Sequence, residues 1–170
     1  MHRPETGEFA SFYANYISLI KDEDVLSVLG GQINELNTLI AGLPESKGSY
    51  HYAPGKWTLK ELLSHLIDGE RIFSYRILRI SRGDTTPLAG FEQDDYIERS
   101  NANNRSFSEL LEEFELQRRS NLLLFGNLDD EASKMMGTAS EKTVSVRALV
   151  YVMAGHVRHH LGVLKERYLA

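Results

Sequence analysis

The sequence predicts an all-α protein built as a bundle of four long helices. Its main turn signals gather at two places, Pro44, Gly48, Pro54 and Gly55, then Gly83, Pro87 and Gly90, and punctuation this sparse leaves room for long helices. Between them apolar residues recur at intervals of three and four, the period of one helical face. Alternation with a period of two is confined to TVSVRALV, where it sits at a helix start, so no sheet is expected.

A short leading helix spans about Phe9 to Leu19, and the acidic stretch Lys21 to Asp24 separates it from the first long helix. In that helix Val25, Leu29, Ile33, Leu36, Leu39 and Ile40 share one face, and Gly42 with Pro44 end it. Thr58 and Glu61 then form a capping-box pattern, in which each side chain satisfies a free N–H of the other residue. The second long helix follows from Leu59 to about Ser81, with Leu59, Leu62, Leu63, Leu66, Phe73 and Ile77 on its apolar face and Gly83 past its end. A short helix, Asp94 to Ser100, lies inside the long connection from Gly83 to Ser106. A second capping box, Ser106 with Glu109, opens the third long helix, Phe107 to Phe125. Gly126 to Ser140 reads as a connection with a turn in Asp129 to Met135, and the last helix runs from about Ser145 to Tyr168.

A chain of 170 residues fits one domain, 1–170, with enough interior to stand without staples. Having no cysteine, it offers neither a disulfide framework, a thiolate metal site nor a cysteine nucleophile, so any thiol in its chemistry must arrive with a substrate. A net charge of -5 gives no field to collect phosphate backbones, which argues against nucleic acid as a partner. Arg76, Arg79 and Arg82, spaced by three, read as a solvated or salt-bridged helix face. No apolar run reaches signal-peptide or membrane-spanning length, so the expected setting is the cytoplasm, with no membrane contact and a small-molecule substrate.

Chemistry concentrates in the histidines. His156 and His160, in AGHVRHHLGVL, stand at i and i+4, about 40° apart around the helix, so both imidazoles can reach one ion. Leu149, Met153, Val157, Val163 and Leu164 flank the same direction, which turns the pair toward the bundle interior. His159 points about 80° aside, to the flank or to a supporting position, and Arg158 points to solvent. A lone histidine on an apolar face is more often a hydrogen-bonded core residue than a ligand. A three-ligand site needs a partner from another helix, and His65 is the one internal helical candidate, because His2 is terminal and His51 lies in a loop. The expected divalent-metal site is therefore His65, His156 and His160.

His65 lies about 60° beyond Leu62, at the edge of the apolar stripe and in line with Gly69 and Ile72. The missing side chain of Gly69 would leave space there for a substrate, at a helix-propensity cost of roughly 1 kcal/mol. Asp68, Glu70, Arg71 and Tyr75 are the candidates to hold a ligand's second N–H, each with an ordinary reading as a surface charge or ion pair. Trp57 reads as a helix-entry anchor. A Gly-x-Ser-x-Gly elbow, a phosphate-binding glycine loop and a His-Glu-x-x-His helix are all absent from the sequence.

Two stretches, YAPGKWTLKELLSHLIDGERIFSYRILRISRGDTTPLAGFEQDDY and SVRALVYVMAGHVRHHLGVLKERYL, make the chain resemble the DinB-like superfamily of damage-inducible proteins over nearly its whole length. The resemblance implies an up-up-down-down bundle with long crossover connections, often dimeric, so a homodimer is expected. It also implies a divalent cation, commonly zinc or nickel, held by a histidine of the second long helix and an H-x-x-x-H pair of the last, roles that fall on His65, His156 and His160. Arg158, within the spacer of that pair, departs from some relatives but faces away from the site. Members of the superfamily include metal-dependent hydrolases, thiol S-transferases that use bacillithiol, mycothiol or glutathione, and a mycothiol-dependent isomerase.

Three functions compete at this level. The first is an enzyme in which the metal activates water for hydrolysis or a low-molecular-weight thiol for S-transfer. The second is a non-catalytic metal- or stress-ligand-binding protein, which a fourth ligand from Asp68, Glu70 or Asp94 would favour. The third is a metal-free bundle with satisfied core histidines.

Overall fold

The structure, a computed structural model, describes residues 1–21 and 24–170. A short helix α1, Ser11–Ser18, leads into α2, Val25–Ile40. Of the acidic break expected between them, Asp22 and Glu23 lie outside the described residues. Asp24 caps α2 by accepting from Ser27 N at 2.9 Å. The second long helix, α3, runs Leu59–Ser81, and a short α4, Gln93–Glu98, interrupts the connection that follows. Then come α5, Phe107–Gly126, the short α6, Asp130–Lys134, and α7, Val146–Val163, which is prolonged by a π-type turn from Leu164 to Tyr168. Both predicted capping boxes form: Thr58 with Glu61 opens α3, and Ser106 with Glu109 opens α5.

Helices α2 and α3 each pack against both α5 and α7. The pairs consecutive in sequence, α2 with α3 and α5 with α7, therefore lie across the diagonals of the bundle. That is an up-up-down-down arrangement, and it needs the crossovers 41–58 and 127–145. Packed on the outside of α7 is α1, and the contact is close. A Cβ on Gly155 would collide with the backbone carbonyl of Tyr16, so only glycine admits this crossing.

Two apolar clusters fill the bundle, one at each end. The first gathers Val25, Val28 and Leu29 of α2, Phe73, Ile77 and Ile80 of α3, Phe125 of α5 and the first half of α7. The second gathers Leu36 and Ile40, Leu59, Leu62, Leu63, Leu66 and Ile67, Phe107, Leu110, Phe114 and the last turns of α7. Between them, each long helix contributes polar side chains at mid-height: Gln32, His65 and Glu70, Arg118 and Asn121, and His156, all buried. This polar layer is where the candidate site forms.

One expectation fails. Met136–Ala139 and Lys142–Ser145 pair as an antiparallel hairpin, with Met136 opposite Ser145 and Ala139 opposite Lys142. Its two-residue turn, Ser140 and Glu141, takes φ of 51° and 62°, the left-handed geometry of tight hairpins. Two four-residue strands are marginal alone, and these are held by neighbours. Leu88 N donates to Thr138 O at 2.9 Å, Ser140 N to Leu88 O at 2.9 Å, and Ser145 N to Glu8 O at 2.8 Å. Phe9, expected at a helix start, instead bridges Val144.

Candidate metal centre

His65 on α3 and His156 and His160 on α7 meet in the polar layer, with one ring nitrogen of each lying within 4.8 Å of the other two. The Nε2 atoms of His65 and His156 are 2.8 Å apart. Two neutral imidazoles tolerate that distance only if one donates its Nε2–H to the other, whereas a cation between them would accept both lone pairs. Nδ1 of His160 is buried without a hydrogen-bond partner, an unmet demand that coordination would satisfy. Aromatic rings set the imidazole planes: Trp57 lies 4.7 Å from His65, Phe73 5.7 Å from His156, and Tyr16 5.7 Å from His156, centroid to centroid.

Electrostatics favours lone pairs over protons here. Burial pushes His65 down to about 4 and His160 down to about 3, with neighbouring imidazoles adding to the shift, and drives His156 well below the ordinary histidine value of 6.5. The negative charge of Asp94 opposes the shift at His65 without cancelling it. Three imidazoles that stay neutral at pH 7 are a donor set suited to a divalent transition-metal ion.

The rings of His65 and His156 form part of the wall of a cleft of about 770 Å³, together with Gly69, Phe73 and Arg76 of α3, Tyr13 and Tyr16 of α1, Ser140 of the hairpin, and Phe91 and Tyr96 from the connection around α4. That size suits a small organic molecule. Among the described residues no carboxylate joins the three nitrogens, so a bound ion would keep open positions toward the cleft.

Residues 29–164 match the family model of the DinB superfamily. The chain belongs to that superfamily. No curated protein sequence matches it. Among solved structures, YfiT from Bacillus subtilis, described as a probable metal-dependent hydrolase with an unusual four-helix bundle topology, aligns over 97% of this chain and 90% of its own at 16% identity and a TM-score of 0.78. The mycothiol-dependent maleylpyruvate isomerase aligns over 86% of this chain at 14% identity and a TM-score of 0.69, and this chain covers 61% of it. A histidine-to-alanine variant of that isomerase aligns at 13% identity and a TM-score of 0.68 over the same shares. At these identities the likeness is one of fold.

Within this DinB-superfamily chain, Glu70 and Arg71 follow their ordinary reading as ion-pair partners, whereas Gly69 and Arg158 depart from expectation. Glu70 faces away from the histidines and pairs with Arg118, accepting from Nε at 2.9 Å and Nη2 at 2.5 Å, with Asn121 donating a third bond at 3.0 Å. Arg71 pairs with Glu113, Tyr75 accepts from Arg79, and Asp68 is half-buried with its carboxyl raised by desolvation. None of the four hydrogen-bonds a site histidine, because at about 100° per residue they leave the His65 line for the α5 side or for solvent. Trp57 is both the expected anchor, its carbonyl accepting from the Tyr168 hydroxyl at 2.7 Å, and a ring against His65. The space beside Gly69 is taken by His156, whose Cε1 would lie 3.2 Å from a Cβ there. His159 is exposed, its ring against Tyr16 and His160. Arg158 is half-buried rather than in solvent, donating to the Leu19 carbonyl at 3.0 Å.

The arginine stripe holds at two of its three residues and fails at Arg76. Arg79 binds Asp84 and Arg82 is exposed, whereas Arg76 is buried in the cleft wall. Its position was readable: eleven residues after His65 is about 20° around a helix, so His65, Gly69 and Arg76 share one line. The aromatic wall from α1 and the α4 connection had no such signal.

Proposed function

We propose that this chain is a metal-dependent enzyme in which His65, His156 and His160 hold one divalent ion, zinc or nickel, and a low-molecular-weight thiol is activated for transfer to a small electrophile. The observation that carries the proposal is the convergence of three ring nitrogens, each from a neutral imidazole, beside an open cleft with no carboxylate among them. An ion in that position supplies a Lewis acid that lowers the pKa of a coordinating thiol or water and so delivers a nucleophile near neutral pH.

The chain's own residues do the rest. Burial keeps protons off the three rings at working pH, and Trp57, Phe73 and Tyr16 fix the ring planes. Tyr13, Tyr16, Phe73, Phe91 and Tyr96 give the cleft an aromatic lining against which the apolar part of an acceptor would rest. The absence of cysteine makes the thiol a cosubstrate, and a cleft of about 770 Å³ has room for it beside an acceptor. Hydrolysis is the second reading, supported by the description of YfiT. A non-catalytic metal holder is disfavoured because Asp68, Glu70 and Asp94 do not join the nitrogens.

Metal analysis of protein purified without a histidine tag, followed by rate measurements with glutathione, bacillithiol and mycothiol against a reactive electrophile, tests the proposal. It expects about one ion per subunit and thiol conjugation that is lost in His65→Ala. Metal-dependent ester cleavage with no thiol effect would select the hydrolase. No ion after stoichiometric zinc and nickel titration would sink both.

A further inference from the structure

The cleft beside His65 and His156 has a second polar feature farther along α3. Arg76 is 4% exposed, and a buried guanidinium is ordinarily matched by a carboxylate because an unmatched buried charge is costly. The other buried arginines obey that rule: Arg118 holds Glu70, and Arg147 holds Glu8. Arg76 does not. Among the described residues its hydrogen bonds both come from Nη2, to the Ala89 carbonyl at 2.9 Å and the Ser140 hydroxyl at 2.9 Å. The acids at the cleft mouth, Glu92 and Asp95, form no ion pair with it, and Asp95 faces Arg99 at 3.9 Å.

Among the described residues, the N–H groups on Nε and Nη1 therefore have no acceptor. They are not sealed from solvent either, since His160 Nδ1 is the one side-chain polar atom among the described residues that is both sealed and unpartnered. The ties from Ala89 and Ser140 hold the guanidinium at the cleft wall while leaving these donors open to it.

We infer that Arg76 is an anion subsite, and that it takes the carboxylate of a small substrate whose reacting group lies at the three histidines. The first half stands on Arg76 alone; the second rests on the function proposed above. Gly69, against which His156 packs, and Arg76 are seven residues apart, about 10 Å along the helix. The arginine side chain leans back toward the helix N-terminus, so the two groups of the ligand are separated by about 10 Å or less. The cleft that holds both groups is lined on its apolar part by Phe73, Tyr13, Tyr16, Phe91 and Tyr96. The ligand class is thus a compact carboxylate with an apolar or aryl middle.

Calorimetric titration of metal-free protein with 3-phenylpropanoate and with its neutral amide separates the charge from the ring. The acid should bind more tightly than the amide. Arg76→Met should weaken the acid about 10- to 100-fold, the loss of a charge-assisted hydrogen bond to a buried cation, and change the amide by less than about twofold. Arg82→Gln, exposed and outside the cleft, should move neither beyond about twofold. Equal binding of acid and amide, no binding of the acid, or an Arg76→Met protein that binds the acid like wild type overturns the inference.

Because Arg76 also ties two loops, a wild-type measurement runs alongside. Phenylglyoxal labelling read by peptide mass spectrometry should show 3-phenylpropanoate protecting Arg76 and leaving the exposed Arg82 and Arg167 unprotected, and labelling that ignores the acid overturns the inference even if the variant does not fold. Zinc titration of the same preparation keeps the two proposals apart. A protein that passes the acid tests yet binds no metal retains the subsite and loses the enzyme.

Discussion

Glu70→Leu should destabilise the metal-free protein by about 3 to 5 kcal/mol, the cost of leaving a buried ion without its partner. Arg118 is 0% exposed and Glu70 1% exposed, so water cannot replace the lost carboxylate. The carboxylate accepts three bonds, two from Arg118 and one from Asn121, while Arg118 Nη1 keeps Leu29 O and Gln32 Oε1 at 2.8 Å each. Gln32 in turn donates to Ala154 O at 2.7 Å, two residues before His156, so the network ties all four long helices together in the layer that holds the site. Leucine is at least as large as glutamate, so no cavity opens and the uncompensated charge is the main cost. Glu70→Leu with Arg118→Met removes both charges and should recover more than about 2 kcal/mol of the loss. The measurement is urea unfolding followed by far-UV circular dichroism, with zinc stoichiometry determined on the folded fraction. A single-variant loss below about 1 kcal/mol, or a double variant no better than the single, would refute the ion-pair argument. A folded Glu70→Leu protein that no longer binds zinc would show that Glu70 serves the metal.

Gly69→Ala should leave stability within about 1 kcal/mol of wild type, because helix propensity gains what crowding costs, yet weaken zinc binding, since the new methyl lies 3.2 Å from His156 Cε1; unchanged affinity by competition with a chelator would contradict that contact. His65→Ala, His156→Ala and His160→Ala should each weaken zinc strongly, and exposed His159→Ala by at most about 10- to 100-fold; competition with a chromogenic chelator supplies the readout, and a result in which His159 matters and His160 does not would overturn the assignment. Lowered pKa values make the metal-free protein acid-sensitive. As pH falls below 6.5 the unfolded chain takes up protons that the folded chain refuses until about 4 at His65 and about 3 at His160, so stability is fully present above pH 6.5 and declines toward pH 4. The slope is at most about 1.4 kcal/mol per pH unit per histidine, and a flat unfolding free energy from pH 7 to 5 would show that these rings are not buried.

The helices were legible because their signals are local. Capping boxes at Thr58 and Ser106, glycine at position 83 and apolar spacing of three and four act within a few residues, and tertiary context did not override them. The hairpin at 136–145 was not legible, since its strands owe their stability to Leu88 and Glu8, both more than 40 residues away in sequence from their partners.

From sequence alone, the i, i+4 spacing of His156 and His160 determined that two imidazoles face one way, and the absence of cysteine determined what could not be a ligand or nucleophile. Only the tertiary structure decided the remainder. It brought His65 to 2.8 Å from His156 across two helices, filled the gap at Gly69 with that ring, and turned Glu70 to Arg118. It also buried Arg76 without a carboxylate while its neighbour Arg79 found Asp84. Rotation along a helix fixes only the direction in which a side chain leaves the axis; which partner waits there depends on how the diagonal crossovers place the other three helices.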